Sequence, residues 1–167
     1  MIKHTATEAL ALARDCAERM YAADRASRAL AIRIEIPAPG SAEARMPVTS
    51  RMVNGHDICH GGYIFTLADT AFAFACNAYG KVTVAAGATI EFLAPAKLGD
   101  RLLAVANEIS RGGRNGLYDV TVTDQRDRVI AMFRGRSVML NEPLPGKTAA
   151  SPVRAARGRV AKRHRVR

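Results

Sequence analysis

Apolar residues recur at threes and fours over residues 5–25. Leu10, Ala13, Ala17, Met20 and Tyr21 form one face with charges between them. That spacing predicts an amphipathic helix lying over a core. The period then drops to two. In ALAIRIEI, residues 29–36, Leu30, Ile32, Ile34 and Ile36 share a face, which predicts a strand ended by Pro37, Pro39 and Gly40. Residues 42–53 alternate less cleanly and contain Pro47, so an edge or bulged strand is expected there. Residues 61–80, GGYIFTLADTAFAFACNAYG, are apolar nearly all round at helical spacing. A helix of that kind sits inside a core or a membrane. This one is short for a span and contains Thr66, Asp69, Thr70 and Asn77, which favours the core.

Strand patterns follow at residues 82–93, 101–109, 117–123 and 129–140. The polar turns RGGRNG (111–116) and 124–128 separate the last three. Short turns between consecutive strands mean antiparallel pairing. A single long apolar helix can be buried only if such a sheet curls around it. The expected fold class is therefore α+β, a bent antiparallel sheet wrapped on a central helix. One side of that sheet stays open, and a dimer joined edge to edge would close it.

The chain has 167 residues, with 49% hydrophobic, 24% charged and 5% aromatic residues and no Trp. This is the balance of a folded domain, and it argues against disorder and against aromatic stacking platforms. The net charge of +10 is unevenly placed. Residues 147–167 hold eight basic side chains and no acid, which leaves 17 basic against 15 acidic residues in the rest. The expected organisation is an N-terminal helical segment (1–28), a main domain (29–142) and a basic tail (143–167). A tail of this kind is usually a solvated appendage, and it is the one place where nucleic-acid contact is conceivable. The first 27 residues carry Glu8, Asp15, Glu18 and Asp24 and no unbroken apolar run, so no secretory signal is expected. Cys16, Cys59 and Cys76 are odd in number and widely spaced, which argues against a disulfide framework or a zinc site and fits a reducing cytoplasm.

Asp69 is the only charged residue between Gly61 and Gly80. A carboxylate in an apolar helix is costly unless it is paired or solvated. Either a neighbouring strand or a subunit contact satisfies it, or it serves as a general base or nucleophile at a cleft. His60, Gly61 and Gly62 stand where the central helix begins. Free N–H groups and a positive dipole end make that place an anion site, and glycines allow close approach. An oxyanion hole is one reading, and a tight packing turn is the other. Gly61 and Asp69 are eight residues apart, about 12 Å along a helix, so they could share a site only across a dimer interface. His56, Asp57 and His60 match no usual metal-ligand pattern. No serine sits in GxSxG, and neither a P-loop nor a GxGxxG motif occurs. Lys97, Arg111, Arg114, Arg134 and Arg136 flank turns and strand ends, either as solvated surface or as cations for substrate phosphates.

These segments together carry a family resemblance. MVNGHDICHGGYIFTLADTAFAFACNAYG (52–80), VAAGATIEFLAPAKLGD (84–100), RGGRNGLYDVTVTDQ (111–125), AMFRGRS (131–137) and MYAADRASRALAI (20–32) resemble the hotdog-fold acyl-CoA thioesterases of the phenylacetate-degradation type. The combined motif N-x5-HGG-x6-D, starting at Asn54, is specific to that family. The resemblance implies a hotdog fold assembled as a dimer or a homotetramer of two dimers. It implies hydrolysis of acyl-CoA, typically aryl-acetyl-CoA, to the free acid and coenzyme A, with no cofactor beyond the substrate. By position, Asp69 matches the catalytic carboxylate and Gly61 the glycine whose N–H polarises the thioester carbonyl. Asn54 and His60 match further active-site positions. Gly62, Arg111, Gly113, Arg114, Gly116 and Thr89 are expected to contact substrate, and no metal is expected. Relatives commonly carry Ser or Thr where this chain has Ala85, Ala86, Gly87 and Ala88, and Thr89 is the nearest hydroxyl. The alternatives are a thioesterase for medium-chain acyl-CoA, a hotdog dehydratase, and a non-catalytic acyl-CoA-binding protein. The absence of a helix histidine argues against the dehydratase.

Overall fold

The structure is a computed structural model that describes residues 5–145. The basic stretch 146–167 therefore lies outside the described residues. Helix α1 (Ala6–Ala23) starts in a capping box. The Thr5 hydroxyl accepts from the Glu8 N–H, and the Glu8 carboxylate accepts from the Thr5 N–H at 2.8 Å. Its inner face, Ala13 and Cys16 with Leu10, Ala17, Met20 and Tyr21, rests on the core as the spacing predicts.

The first strand begins later than its alternation suggests. Asp24 caps a short helix α2 (Arg25–Ala29) by accepting from the Ser27 N–H at 2.9 Å, and a turn over residues 30–31 follows, so the strand starts at Arg33 rather than Ala29. Strand β1 (Arg33–Ala38) follows and keeps the predicted phase, with Ile32 and Ile36 buried and Ile34 partly so. Strand β2 (Ser41–Pro47) corrects a second expectation. It is not an edge. It lies between β1 and β4 and buries Ala42, Ala44 and Met46. Pro47 is its last residue, where a missing N–H interrupts nothing, and the chain turns through a 3-10 segment, Ser50–Met52. Pro37 falls at a register shift on β1, which is the true edge on that side.

Helix α3 (Gly61–Cys76) is the apolar segment and ends four residues earlier than its hydrophobicity does. Asn77 stops it. Its Nδ2 donates to the Ala73 carbonyl at 2.9 Å and to the Thr83 carbonyl at 2.8 Å, and its Oδ1 accepts from the Thr83 N–H at 2.8 Å. One buried side chain thus fastens the helix end to the next strand. Strands β3 (Lys81–Phe92), β4 (Arg101–Gly112), β5 (Asn115–Thr123) and β6 (Val129–Pro143) complete the sheet. The order is β1-β2-β4-β5-β6-β3 and every pairing is antiparallel. The sheet packs on α3 from β2 through β3. Phe72 occupies the centre, 5.4 Å from the Tyr118 ring and 5.8 Å from that of Phe133. Gly135 makes room for it: a Cβ there would stand 2.9 Å from the Phe72 ring.

Strand β6 runs one residue past the expected domain boundary, and Leu144 is buried beyond it. Strand β3 pairs only with β6 and is the other edge of the sheet. It is twelve residues long, with Val84 and Phe92 exposed. A long apolar edge strand is a template for pairing with a further strand.

Candidate active site

The site is built where the irregular segment 53–60 meets the start of α3. Asn54 organises this segment. Its Oδ1 accepts from the His56 N–H at 2.9 Å, its N–H donates to the Ile58 carbonyl at 2.9 Å, and Asp57 takes a left-handed conformation at φ 57°. The side chain oxygen is thus committed to shaping the turn, and its Nδ2 meets no acceptor among the described residues. The segment is then fixed from both sides. The Cys59 N–H donates to the Ala96 carbonyl and the His60 N–H to the Met52 carbonyl, each at 2.8 Å.

His60 is the N-cap of α3, and its Nδ1 accepts from the Gly62 N–H at 2.9 Å. That bond requires Nδ1 to be unprotonated, so a neutral ring carries its proton on Nε2. The Gly62 N–H is therefore occupied. The Gly61 N–H meets no acceptor among the described residues. It stands at the helix terminus with the dipole behind it, as an oxyanion donor needs. The Cα of Gly61 lies against the Phe92 ring, with the nearest ring carbon 2.9 Å from where a Cβ would be.

Asp69 lies two turns further along α3. It is half-buried, and no hydrogen bond or ion pair reaches its carboxylate among the described residues. Burial raises its pKa above the usual carboxylate value. Of the alternatives the sequence leaves open, a partner on a neighbouring strand is not met among the described residues, and a subunit contact lies outside a single chain. Because α3 is unbroken from Gly61 to Asp69, the two groups remain about 12 Å apart along one helix axis.

The cysteines offer no competing nucleophile. All three are buried and free. Burial, with Asp100 adding to it, pushes the Cys59 thiol up to about 11, and burial pushes Cys76 up to about 12. Thiols with those values stay protonated near neutrality. No group of three or more His, Cys, Asp or Glu able to hold a metal occurs among the described residues.

The basic side chains separate by their partners. Arg134 is clamped on Asp119 by two bonds of 2.6 Å. Arg111 faces Glu108 at 3.4 Å and stacks 3.9 Å over the Tyr79 ring. That carboxylate also accepts from the Tyr79 and Tyr118 hydroxyls, both at 2.8 Å. Arg111 is thus part of an internal network that sequence reading missed, because Glu108 and Tyr79 lie far apart along the chain. Arg114 donates to the Met139 carbonyl and faces no carboxylate among the described residues, and neither does Arg136. Gly113, at φ 58°, turns the β4–β5 hairpin. Gly116 is a packing glycine, since a Cβ would stand 2.6 Å from both the Ser137 Oγ and the Tyr118 ring. It also lines an open cavity of about 460 Å³ with Ser110, Asn115 and Arg136. Thr89 is exposed on β3 opposite Arg134, and the segment without a hydroxyl carries a register shift between Ala85 and Gly87.

A helix wrapped by a six-stranded antiparallel sheet, a free N–H at the helix start and an unpartnered carboxylate on the same helix define a class, and comparison with known proteins places the chain in it. The family described as the thioesterase superfamily matches residues 56–131. Acyl-coenzyme A thioesterase PaaI of Escherichia coli is 43% identical over 131 residues, which is 78% of this chain and 94% of that protein. The solved structure of the E. coli PaaI protein from the phenylacetic acid degradation operon superposes with a TM-score of 0.79 at 42% identity, over 80% of this chain and 97% of that one. A Streptococcus mutans protein solved with acetyl-CoA bound matches with a TM-score of 0.64 at 27% identity, over 67% of this chain and 90% of that one. The chain belongs to the thioesterase superfamily, has the hotdog fold and is an acyl-CoA thioester hydrolase. Among the described residues no helix is long and apolar enough to cross a membrane.

Proposed function

We propose that this protein hydrolyses aryl-acetyl-CoA thioesters, such as phenylacetyl- or hydroxyphenylacetyl-CoA, in a site shared by two copies of the chain. The observation that carries the reading is the Asp69 carboxylate, held half-buried and without a partner among the described residues. A fold keeps such a group at a cost, and a base or nucleophile needs it unencumbered. The thioester carbonyl accepts from the Gly61 N–H at the start of α3 in one protomer. Asp69 of the partner subunit removes a proton from water as the water attacks the carbonyl carbon, or its oxygen attacks directly to give an acyl–aspartyl anhydride that water then cleaves. Either way the C–S bond breaks, coenzyme A leaves as thiolate, and the acid is released. The open edge of β3 suits the dimer this arrangement needs.

Asn54 Nδ2 is free to position water or the thioester, while His60 fixes the helix start through Gly62. Arg114, beside the glycine turn, is suited to the phosphates of the nucleotide, and Arg111 holds that turn through Glu108 and Tyr79. The aryl preference is favoured by the E. coli relative's place in a phenylacetic acid degradation operon, and three free thiols suit a reducing cytoplasm.

The test is thiol release from phenylacetyl-, hydroxyphenylacetyl-, benzoyl- and hexanoyl-CoA, with Asp69→Asn as control. Asp69-dependent release that is fastest with arylacetyl groups supports the reading, and fastest release from hexanoyl-CoA would replace the substrate class. A second reading, acyl-CoA binding without turnover, is favoured by one observation: residues 85–88 carry no hydroxyl to orient water. Tight binding of phenylacetyl-CoA with no thiol release would select it.

A further inference from the structure

We propose that Phe92 forms the wall of the acyl pocket and gives the enzyme its preference for flat aromatic acyl groups. This rests on the hydrolase reading of the Gly61 and Asp69 site. Phe92 is the last residue of β3 and shares a side of the strand with Ile90, which packs against the core, so its ring is carried toward α3. The backbone just beyond it is pinned, because the Leu93 and Ala94 N–H groups both donate to the Ile130 carbonyl, at 2.8 and 3.2 Å.

The ring tip meets Gly61. Three of its carbons stand 2.9, 3.3 and 3.4 Å from the position a Cβ would take there. No other residue type fits Gly61 while the ring stays where it is. Yet Phe92 is 52% exposed. One edge of the ring is therefore committed to the backbone that supplies the oxyanion N–H, and the rest is open. A carbonyl oxygen accepting from that N–H lies about 2.9 Å from the nitrogen. The acyl substituent on the same carbonyl carbon must then extend past a neighbouring aromatic surface. Aromatic groups prefer such a surface in offset or edge-on geometry, with centroids about 4.5–7 Å apart, and the preference over an aliphatic group of equal size is worth about two- to tenfold in binding.

A packing role for Phe92 would affect all substrates alike, so the test compares acyl groups of matched size. Phenylacetyl-CoA and cyclohexylacetyl-CoA differ in the π-system and little in volume. Wild-type kcat/KM is expected to favour the phenyl substrate by about two- to tenfold. Phe92→Leu is expected to abolish that ratio, and Phe92→Tyr to keep it, with oligomer size and melting temperature measured for both. Equal loss on both substrates in Phe92→Leu, or a ratio left as in wild type, overturns the proposal while thiol release by the wild type leaves the hydrolase reading standing. No release by wild type from either substrate or from hexanoyl-CoA overturns both.

Discussion

Two inactive variants should rescue one another if the site is shared between chains. Gly61→Pro removes the N–H proposed to polarise the carbonyl, with little harm to the helix. Position 61 is the first residue of α3, where proline is favoured, and His60 before it sits at φ −61°, ψ 132°, which proline tolerates in its predecessor. The Phe92 ring in its path is half open to solvent and can turn aside. Losing one oxyanion donor costs about 10²- to 10³-fold in kcat. Asp69→Asn removes the proposed base at a cost of about 10²- to 10⁴-fold. Each homodimer is then nearly inactive. The separation decides what a mixture does. Eight residues of unbroken helix put the two groups about 12 Å apart, whereas a general base acts within about 3 Å or through one water. The groups of one chain cannot meet at one carbonyl. In a mixed dimer, the Gly61 of the Asp69→Asn chain faces the Asp69 of the Gly61→Pro chain. One site of two is intact, and the other carries both defects. Mixed dimers co-expressed with two affinity tags and purified on both should recover about half of wild-type activity per dimer. Recovery no greater than that of either homodimer, with circular dichroism and elution volume unchanged, would refute the shared site.

Burial raises the Asp69 pKa, so activity should fall on acidification at a pH above the usual carboxylate range. For stability, a raised carboxylate means that ionisation is disfavoured in the folded state, and the penalty is present above the folded pKa and relieved as pH falls through it. Asp69→Asn should therefore be more stable than wild type at pH 7 and lose that advantage in acid, and thermal melts that show it less stable at pH 7 would mean the carboxylate has a stabilising partner. Asn77→Ala breaks three hydrogen bonds and strands the Thr83 N–H, so urea unfolding should register a loss of about 2–4 kcal/mol, and a loss below about 0.5 kcal/mol would refute its role in fastening β3. Arg114→Ala should raise KM severalfold for phenylacetyl-CoA and leave phenylacetyl-pantetheine, which lacks the nucleotide, unchanged; equal effects on both would remove Arg114 from phosphate binding.

The hydrophobic pattern carried much of this fold because its dominant signals were local. A helix apolar nearly all round, too short for a span and interrupted by Thr66, Asp69 and Thr70, belongs in a core, and strands joined by short turns pair antiparallel. The motif around Asn54, His60, Gly61 and Asp69 was equally legible, since its residues lie within sixteen positions. The failures came where a single polar side chain outweighed a hydrophobic run. The short helix that Asp24 caps, with the turn after it, delayed the first strand to Arg33, and Asn77 ended α3 before its apolar stretch was finished. Pro47 suggested an edge, but it fell at a strand end inside the sheet.

Sequence thus determined which elements form, that one helix is enclosed, and which groups are chemically suited to a thioester. Tertiary structure decided which of those groups are free to act. Sequence named Gly61 as the donor and Gly62 as a substrate contact, and the structure gives the Gly62 N–H to His60 Nδ1; Arg111, open between surface and phosphate cation, lies against Glu108 and Tyr79. Phe92, 31 residues beyond Gly61, meets it only because β3 runs back past the start of α3. A hydrogen bond and a close contact depend on distances between segments that sequence spacing does not encode. The pattern of polar and apolar positions selects the fold, and the closed fold selects which donors and charges remain unspent.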